Sequence, residues 1–571
     1  MSNLYSVTPT RADCQRAVRR AWLLDLEWAG RVYRLSTEPV VMTDDRGIVR
    51  QYVGGLLTAP SLTIQSNRSG ADDAAPSAGL SLSLDDTDVA SRVAAGARLQ
   101  EARGNLYAVF IDEHGAVIQP WSRRIAYIID GRCSEPGFDG PNDPTTLVRI
   151  TLTGQPAEDS TTLLDPLAVI DGKTWPEVGD DAEQQGKVYP IVFGQPGLFT
   201  KADGTGGSTS GSPAYPVTFT ANNADYLLIC GADVDAATVT VYDDSGSNDV
   251  FTVILTQDGR GRFVSVVNIS GGGIARDSAV YWVKWSTGGG IRNPYGSGAL
   301  ERLGDVVRWV LGFSSAPVNL SAFANEDELN RLQVAGFFND NEATPYESAI
   351  DLISLHPGAG IRRDANGIRP VVRRLDYSDD ETAGTITAYT INPIVGRAPS
   401  PDFVPLEGEG WRYTQAEGDV ITDAALSFAR RTKTGRYRRQ IRCTHDPEPG
   451  AAEEFATEYA VMAETRQAAQ SFRKPRSRRS TVEVDALYDE ASAGYVVAET
   501  VRQSGFDSRE RAYYCSFEWG WLDVNEVYMY ADDALTTAVQ VEVTSKEPNP
   551  WGYTVTLTLD DDPVRLGPKA V

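Results

Sequence analysis

Apolar and polar residues alternate with a period of two over much of the chain, which is the pattern of strands that bury one face. In AWLLDLEWAGRVYRL, Leu24, Leu26 and Trp28 alternate with acidic residues before the pair Ala29-Gly30, which predicts a hairpin. The same alternation in YTVTLTL near the C-terminus predicts a final strand with one buried face.

Turn and linker residues divide this β pattern into segments. Residues 1–185 are predicted to be an N-terminal β domain, and 186–212 a junction that ends in the flexible composition DGTGGSTSGS. Short strands separated by Asp-Gly and Gly-Gly turns predict an inserted small β-sandwich or barrel over 213–290. Residues 401–571 are predicted to be a C-terminal β domain.

Residues 298–400 change to a helical period and are predicted to hold two or three helices and a hairpin. Apolar residues at three- and four-residue spacing predict the first helix, and they are Leu300, Leu303, Val306, Val307, Val310 and Leu311. A second helix is expected near EDELNRLQV. Thr344, Pro345 and Glu347 form a capping box for a third, and Asn366-Gly367 predicts the hairpin turn.

In the C-terminal domain, one long helix is predicted over AAEEFATEYAVMAETRQAAQSF, and the chain after it is predicted to be β again. The fold class is therefore mainly β with some α (α+β), with several β-barrel or β-sandwich domains and a small helical segment. A length of 571 residues exceeds what one hydrophobic core supports, and 41% hydrophobic with 23% charged residues is typical of folded domains.

Charge and cysteine content exclude several classes of function. A net charge of −25 disfavours general binding to nucleic acid or anionic lipid. The five cysteines lie far apart and only three histidines occur, so neither a metal centre nor a disulfide framework is expected. No apolar leader and no run of 18 apolar residues is present, which predicts neither a secretion signal nor a membrane span.

Signatures of catalysis are weak. The chain has no Walker A loop, GxSxG or HExxH motif, and the triplets Gly271–Gly273 and Gly288–Gly290 are interpreted as turns. Glu518 beside Trp519 and Trp521 could serve a glycan hydrolase, but the alternating residues Phe517, Trp519 and Trp521 more simply face a core. No cofactor and no enzymatic activity are predicted.

The histidines and cysteine that could take part in catalysis have structural explanations. His356 follows a predicted helix, where a charged imidazole would cap the negative end of the helix dipole. Cys443 and His445 lie two residues apart, without the pattern of a protease site, and are assigned to an edge strand.

Two basic clusters contrast with the acidic chain and are candidate subunit-interface residues, or else solvated loops. DNA passing nearby is a third explanation, although no helix-turn-helix or aromatic platform accompanies them. The clusters comprise Arg430, Arg431, Lys433, Arg436, Arg438 and Arg439, and Arg473, Lys474, Arg476, Arg478 and Arg479.

Two segments resemble tail proteins of long-tailed bacteriophages. GKVYPIVFGQPG, after the acidic stretch TWPEVGDDAEQQ, is similar to a Pro-Ile-Val-aromatic-Gly strand of those proteins. The region from LGDVVRWVLGF to GIRPVVRRL is similar to tail hub and host-specificity proteins in its order of helix, Gly336-Phe337, capped helix and hairpin. The two matches cover about 186–200 and 300–375.

The resemblance implies a structural virion protein of the tail tip or baseplate hub, assembled in the bacterial cytoplasm, that functions in host attachment and genome ejection. It implies a homotrimeric ring of β-barrel hub domains that continues the tail tube and anchors fibre or receptor-binding proteins, with DNA at most in transit through the lumen. One branch binds an iron–sulfur cluster through C-terminal cysteines, but only Cys443 and Cys515 lie in that part here.

Alternatives remain open. They are a hexameric distal tail protein, a tail-associated polysaccharide or peptidoglycan hydrolase, and a receptor-binding module whose 213–290 domain projects from the ring towards host carbohydrate.

Overall fold

Strands are the predominant secondary structure of the described residues, and the predicted fold class, mainly β with a few helices, is confirmed. The computed structural model describes residues 7–62, 64–65, 76–83, 96–100, 102–138, 147–154, 162–179, 182–197, 211–285, 288–324, 326–340, 342–372, 384–388, 404–405, 411–413, 423–430, 436–444, 479–504, 508–532, 539–550 and 552–560.

The strands are β1 (Arg19–Trp28), β2 (Arg31–Ser36), β3 (Val40–Thr43), β4 (Val49–Gly54), β5 (Ile64–Gln65), β6 (Ser77–Ser83), β7 (Arg103–Ile111), β8 (Ile125–Phe138), β9 (Leu147–Thr153), β10 (Ile191–Phe193), β11 (Ser212–Thr220), β12 (Asn223–Cys230), β13 (Thr238–Tyr242), β14 (Asn248–Gln257), β15 (Phe263–Asn268), β16 (Tyr281–Trp285), β17 (Gly336–Phe338), β18 (Ala359–Asp364), β19 (Gly367–Val372), β20 (Thr385–Ala388), β21 (Val404–Pro405), β22 (Arg412–Tyr413), β23 (Asp423–Arg430), β24 (Tyr437–Thr444), β25 (Arg479–Glu483), β26 (Ser508–Ser516), β27 (Val527–Asp532), β28 (Val539–Asn549) and β29 (Gly552–Asp560). The α-helices are Arg11–Arg16, Leu303–Leu311, Leu320–Ala324, Asp327–Asn330, Pro345–Ile353 and Glu490–Ser504, and 3-10 turns cover Trp121–Arg123 and Phe517–Trp519.

The N-terminal sheet has the strand order β3-β4-β2-β1-β7-β8-β9-β6. Its first hairpin turns at Ala29-Gly30, as predicted, and both residues have positive φ, the geometry of a tight turn that matches strand twist. The backbone N–H of Leu56 donates to the carbonyl of Ser36 (3.0 Å), and Leu56 also pairs with Leu82 of β6. This short segment connects β2 with β6, so the sheet wraps around its apolar interior.

One five-residue turn, Asp-x-x-Gly-x, closes hairpins at 44–48, 112–116, 243–247 and 258–262. In each turn, one carboxylate oxygen of the aspartate accepts the N–H of the fifth residue. The glycine at the fourth position has a φ between 77° and 92°, which an L side chain rarely adopts. The same local sequence therefore produces the same turn in two different sheets.

Strands β11 to β16 form a closed barrel in the order β11-β12-β15-β14-β13-β16, so the predicted sandwich or barrel is a barrel. The helix Leu303–Leu311 follows, and Leu300 precedes it as a buried loop residue. Thr344 caps the helix Pro345–Ile353 by accepting the N–H of Glu347 (3.3 Å), which confirms the capping box. The hairpin β18–β19 turns at residues 365–366, one position earlier than predicted.

The C-terminal part contains a sheet ordered β20-β27-β28-β29-β26-β21 and a three-stranded sheet ordered β24-β23-β25. Residues 490–504, in the part of the chain that was predicted to be β, form the helix Glu490–Ser504, so that prediction was wrong there. The helix packs on β23 and β24. Asp489 accepts the N–H of Ser492 (2.7 Å) at the start of this helix, a capping signal that the strand interpretation overlooked. The helix predicted over 451–472 lies outside the described residues.

Two large cores cross the predicted domain boundaries, which themselves remain predictions. One core combines residues of the barrel, the central helices and the sheet β24-β23-β25. The other combines the inner face of the N-terminal sheet with the sheet built from β26 to β29, and β5 pairs directly with β28. The first and last parts of the chain are therefore one packed unit.

Arg20 is the polar contact at the centre of that unit. Its guanidinium donates to the carbonyl of Gly552 (3.1 Å) across 532 residues of sequence. The same guanidinium lies 4.3 Å from the ring centroid of Tyr553 and 5.2 Å from that of Phe517. The contact thus adds a hydrogen bond and cation–π attraction to the apolar packing of the two sheets.

We expect Arg20→Met to lower the free energy of unfolding by about 1–3 kcal/mol, because the hydrogen bond and the cation–π contacts are both lost. Hydrogen exchange should show weaker protection in β1 and in β29 together. Arg19→Met is the matched control, since Arg19 forms a surface ion pair with Glu38 and should cost less than about 0.5 kcal/mol. Equal losses in both variants would contradict this role of Arg20.

Candidate functional site

Arg430 of the first basic cluster and Arg479 of the second lie at opposite ends of the sheet β24-β23-β25. Arg430 ends β23 and pairs with Tyr437, whereas Arg479 begins β25 and pairs with Asp423 at the start of β23. With a rise of about 3.3 Å per residue, these two ends are roughly 23 Å apart. The sheet therefore separates Arg430 from Arg479.

Acidic residues of the same chain offset part of the first cluster. Asp485 binds the guanidinium of Arg430, and this hydrogen bond raises the pKa of Arg430. The hydroxyl of Tyr437 donates to the same carboxylate. Arg439 pairs with Glu490 (2.5 Å).

Other members of the clusters differ in what the structure describes. Arg436 is exposed and forms no ion pair with the described residues. Arg438 lies in β24 and Arg479 in β25. The predicted residues that fall outside the described part of the chain are Arg431, Lys433, Arg473, Lys474, Arg476 and Arg478.

The weaker catalytic candidates are not brought together. Glu518 lies on the exposed side of the 3-10 turn Phe517–Trp519, whereas Phe517 is buried and Trp519 and Trp521 pack against the apolar core, as predicted. Cys443 lies in β24, and His445 is outside the described residues. In the described part of the chain, no group of three His, Cys, Asp or Glu side chains could hold a metal ion, and no helix is long and apolar enough to span a membrane.

His356 is a buried hydrogen-bonding residue and not a charged helix cap. The helix ends at Ile353 with Ser354 as its C-cap, and burial lowers the pKa of His356 to about 4, so the imidazole is neutral at pH 7. Its Nδ1 accepts the N–H of Gly358 (3.2 Å), which leaves Nε2 as the donor to the hydroxyl of Tyr495 (3.2 Å). Tyr495 in turn donates to Glu328 (2.8 Å) and joins three separate elements.

The segment that carries the first resemblance is hydrogen-bonded on both edges. Strand β10 pairs with β17, so Val192 lies opposite Phe337. On the other edge, the N–H of Ile291 donates to the carbonyl of Val192 (2.7 Å). Pro190 directly precedes the strand, where its missing N–H removes no ladder hydrogen bond.

Gly289 and Gly290 are close-approach residues and not simple turns. A Cβ on Gly290 would lie 2.0 Å from the carbonyl oxygen of Val192, and one on Gly289 would lie 2.5 Å from that of Gly194. Only glycine lets the two backbones approach this closely. The interpretation of Gly271 as a turn residue stands, since a Cβ there meets nothing within 4 Å.

Lys546 is a buried cation that sequence reasoning did not single out. Its ammonium donates to the carbonyls of Gly520 (2.6 Å) and Leu522 (2.7 Å), and burial lowers its pKa to about 8. Burial would raise the pKa of the neighbouring Asp523, but Arg362 and Arg369 outweigh it and lower that pKa. These contacts attach the loop 520–524 to β28 and to the hairpin β18–β19, which is a structural role.

Comparison with solved structures finds tail and virion proteins. The tail protein from Neisseria meningitidis MC58 is 8% identical, with 95% of this chain and 98% of that chain covered at a TM-score of 0.36. The 43 kDa tail protein of prophage MuSo2 from Shewanella oneidensis is 10% identical, with 94% of this chain and 97% of that chain covered at a TM-score of 0.36. A chain of the virion of a native gene transfer agent particle is 16% identical over 48% of this chain and 82% of that chain, with a TM-score of 0.19.

These structural neighbours are tail proteins and a virion component. With TM-scores below 0.5, the likeness carries no argument about this chain. No family model matches the sequence, and no curated protein matches it.

We expect stability to fall as the pH drops from about 6.5 to about 4, because the unfolded state binds a proton at His356 before the folded state does. Above pH 6.5 this contribution is complete, and its full loss amounts to on the order of 3 kcal/mol. Urea unfolding of the wild type and of His356→Gln over this pH range measures it. The free energy of unfolding of His356→Gln should fall less steeply with decreasing pH than that of the wild type. Parallel pH profiles of the two proteins would contradict the prediction.

Gly290→Ala should destabilise the chain by about 1–3 kcal/mol or more, since the new methyl group collides with the backbone of Val192. Gly271→Ala is the matched control and should change stability by less than about 0.5 kcal/mol. Thermal unfolding of both variants is the measurement. A wild-type melting temperature for Gly290→Ala would show that the backbones are not held this close.

Proposed function

We propose that the chain is a structural virion protein of a long-tailed phage, located at the tail tip or baseplate hub. In this proposal it forms a homo-oligomeric ring that continues the tail tube and anchors fibre or receptor-binding proteins, without catalytic activity of its own. A hexameric distal tail adaptor is the nearest variant of the same role.

The observation that carries the proposal is the pairing of β10 with β17. The two segments that resemble phage tail proteins lie about 140 residues apart in sequence, yet they hydrogen-bond to each other through Ile191–Phe193 and Gly336–Phe338. Phe193 also packs on Phe338 with ring centroids 5.2 Å apart. Because the two segments form one structural unit, together they support a common origin with phage tail proteins better than either segment does alone.

Ring formation has an electrostatic requirement. Copies with a net charge of −25 repel one another, so a stable contact needs local positive charge opposite an acidic surface. Arg430 and Arg439 already have acidic partners within the chain, whereas Arg436 is exposed. A heterologous ring contact can use such a residue, because it joins different surfaces of neighbouring copies.

The full-length protein should form a discrete homo-oligomer in mass photometry and a ring in electron microscopy. Purified tail particles should contain the chain at their tip. A protein that stays monomeric at every concentration and is missing from tail particles would overturn the proposal.

We expect Arg436→Glu combined with Arg438→Glu to weaken self-association at least about tenfold, because both changes place negative charge against an acidic neighbour. Circular dichroism checks that the fold is retained. Arg46→Glu, a single charge reversal at an exposed residue in the turn 44–48 of the N-terminal sheet, is the control and should assemble normally. If both variants assemble like the wild type, the first basic cluster is not part of the interface.

A further inference from the structure

The outer wall of the barrel has a covered half and an open half. Residues 168–189 pack on β11, β12 and β15, where Val217, Leu228 and Val264 contact Trp175 and Tyr189 in one apolar cluster. The outward side chains of β13, β14 and β16 belong to none of the apolar clusters of the described residues. We call these outward side chains the open wall.

The open wall carries two aromatic rings beside hydroxyl groups. Tyr242 lies directly opposite Trp282 across β13 and β16, and both are half-buried. Thr240 lies opposite Lys284 on one side and Val250 on the other. Alternate residues of the same strands, such as Val241 and Val283, are fully buried inside the barrel, which establishes the outward direction of the wall residues.

Polar groups of the open wall are not used by the fold. Thr240, Thr252, Lys284 and the hydroxyl of Tyr242 form no side-chain hydrogen bond or ion pair with the described residues. The indole N–H of Trp282 is buried without a partner, so the part of this side chain that faces solvent consists of carbon atoms. The wall therefore offers two aromatic rings and the exposed aliphatic side chains Val250 and Ile254 beside free donors and acceptors.

We propose that the open wall binds glycan, with sugar rings placed against Tyr242 and Trp282. A sugar ring presents C–H groups on one face, which pack on aromatic carbon, and hydroxyl groups at its rim. The rim hydroxyls would pair with Thr240, Thr252 and Lys284. Tyr242 and Trp282 lie on neighbouring strands about 5 Å apart, so the two side chains can contact one sugar ring or two adjacent ones.

Other ligands fit the wall less well. An apolar protein surface would bury these hydroxyl groups and the ammonium of Lys284 without partners, which costs free energy. Nucleic acid requires several cations, whereas Lys284 is the one Lys or Arg that faces outward among the described residues of β13, β14 and β16. Glycan binding goes beyond the proposed structural role and does not depend on ring formation.

The test uses the full-length chain on an array of bacterial lipopolysaccharides, capsular polysaccharides and peptidoglycan fragments. The wild type should bind at least one class of glycan on the array. Tyr242→Ala and Trp282→Phe should weaken that binding about tenfold or more, and Thr240→Val, which preserves shape and removes the hydroxyl, about threefold or more. Tyr514→Ala is the matched control, because Tyr514 is an exposed tyrosine on another sheet and should leave binding unchanged.

Circular dichroism and thermal unfolding check that each variant is folded, and Thr240→Val with Trp282→Phe keeps the test valid if Tyr242→Ala unfolds. The inference is overturned if the wild type binds no glycan on the array, or if folded wall variants bind like the wild type. Wall variants that block entry into tail particles, without glycan binding by the wild type, would identify a protein interface instead. Ring formation is measured separately, so its failure would leave a positive array result intact.

Discussion

Arg20 lies against the rings of Tyr553 in the last strand and Phe517 in the 3-10 turn, and the apolar core around it is built by the first and last parts of the chain together. The contact joins residues 532 positions apart, but the entropy cost of closing a loop rises only slowly with length, by about 0.6 kcal/mol per doubling. Burial of apolar surface from both sheets can therefore outweigh it. Because these two sheets pack together, the chain between them must begin and end at this packed unit.

The intervening residues satisfy that constraint by building a second core. Barrel, central helices and the sheet β24-β23-β25 share one apolar cluster, so the barrel is not an isolated module attached through its linker. Where the chain passes from β10 to the barrel and back, Gly289 and Gly290 allow backbone contacts that any side chain would prevent. The ion pair between the buried Arg362 and the half-buried Asp523 connects the two cores through the hairpin β18–β19.

Charged residues that cluster in the sequence do not all remain uncompensated in the fold. Arg430 and Arg439 belong to a basic cluster in sequence, but Asp485 and Glu490 offset them in the fold. The two basic clusters are near each other in sequence, yet Arg430 of the first and Arg479 of the second lie at opposite ends of the sheet β24-β23-β25. Conversely, Tyr242 and Trp282 are 40 residues apart and form no motif in the sequence. Only the pairing of β13 with β16 makes them neighbours.

The sequence by itself determined features whose causes are local. The Ala29-Gly30 turn, the capping box at Thr344 and the alternating strands of the barrel follow from backbone preferences within a few residues, and they form where predicted. The tertiary structure decided which segments meet. The pairing of β10 with β17 and the neutral state of His356 depend on long-range burial, which replaces water around a group by residues distant in sequence. No local pattern encodes that exchange, because the pKa of an imidazole and the choice of strand partner depend on what the whole fold places beside them.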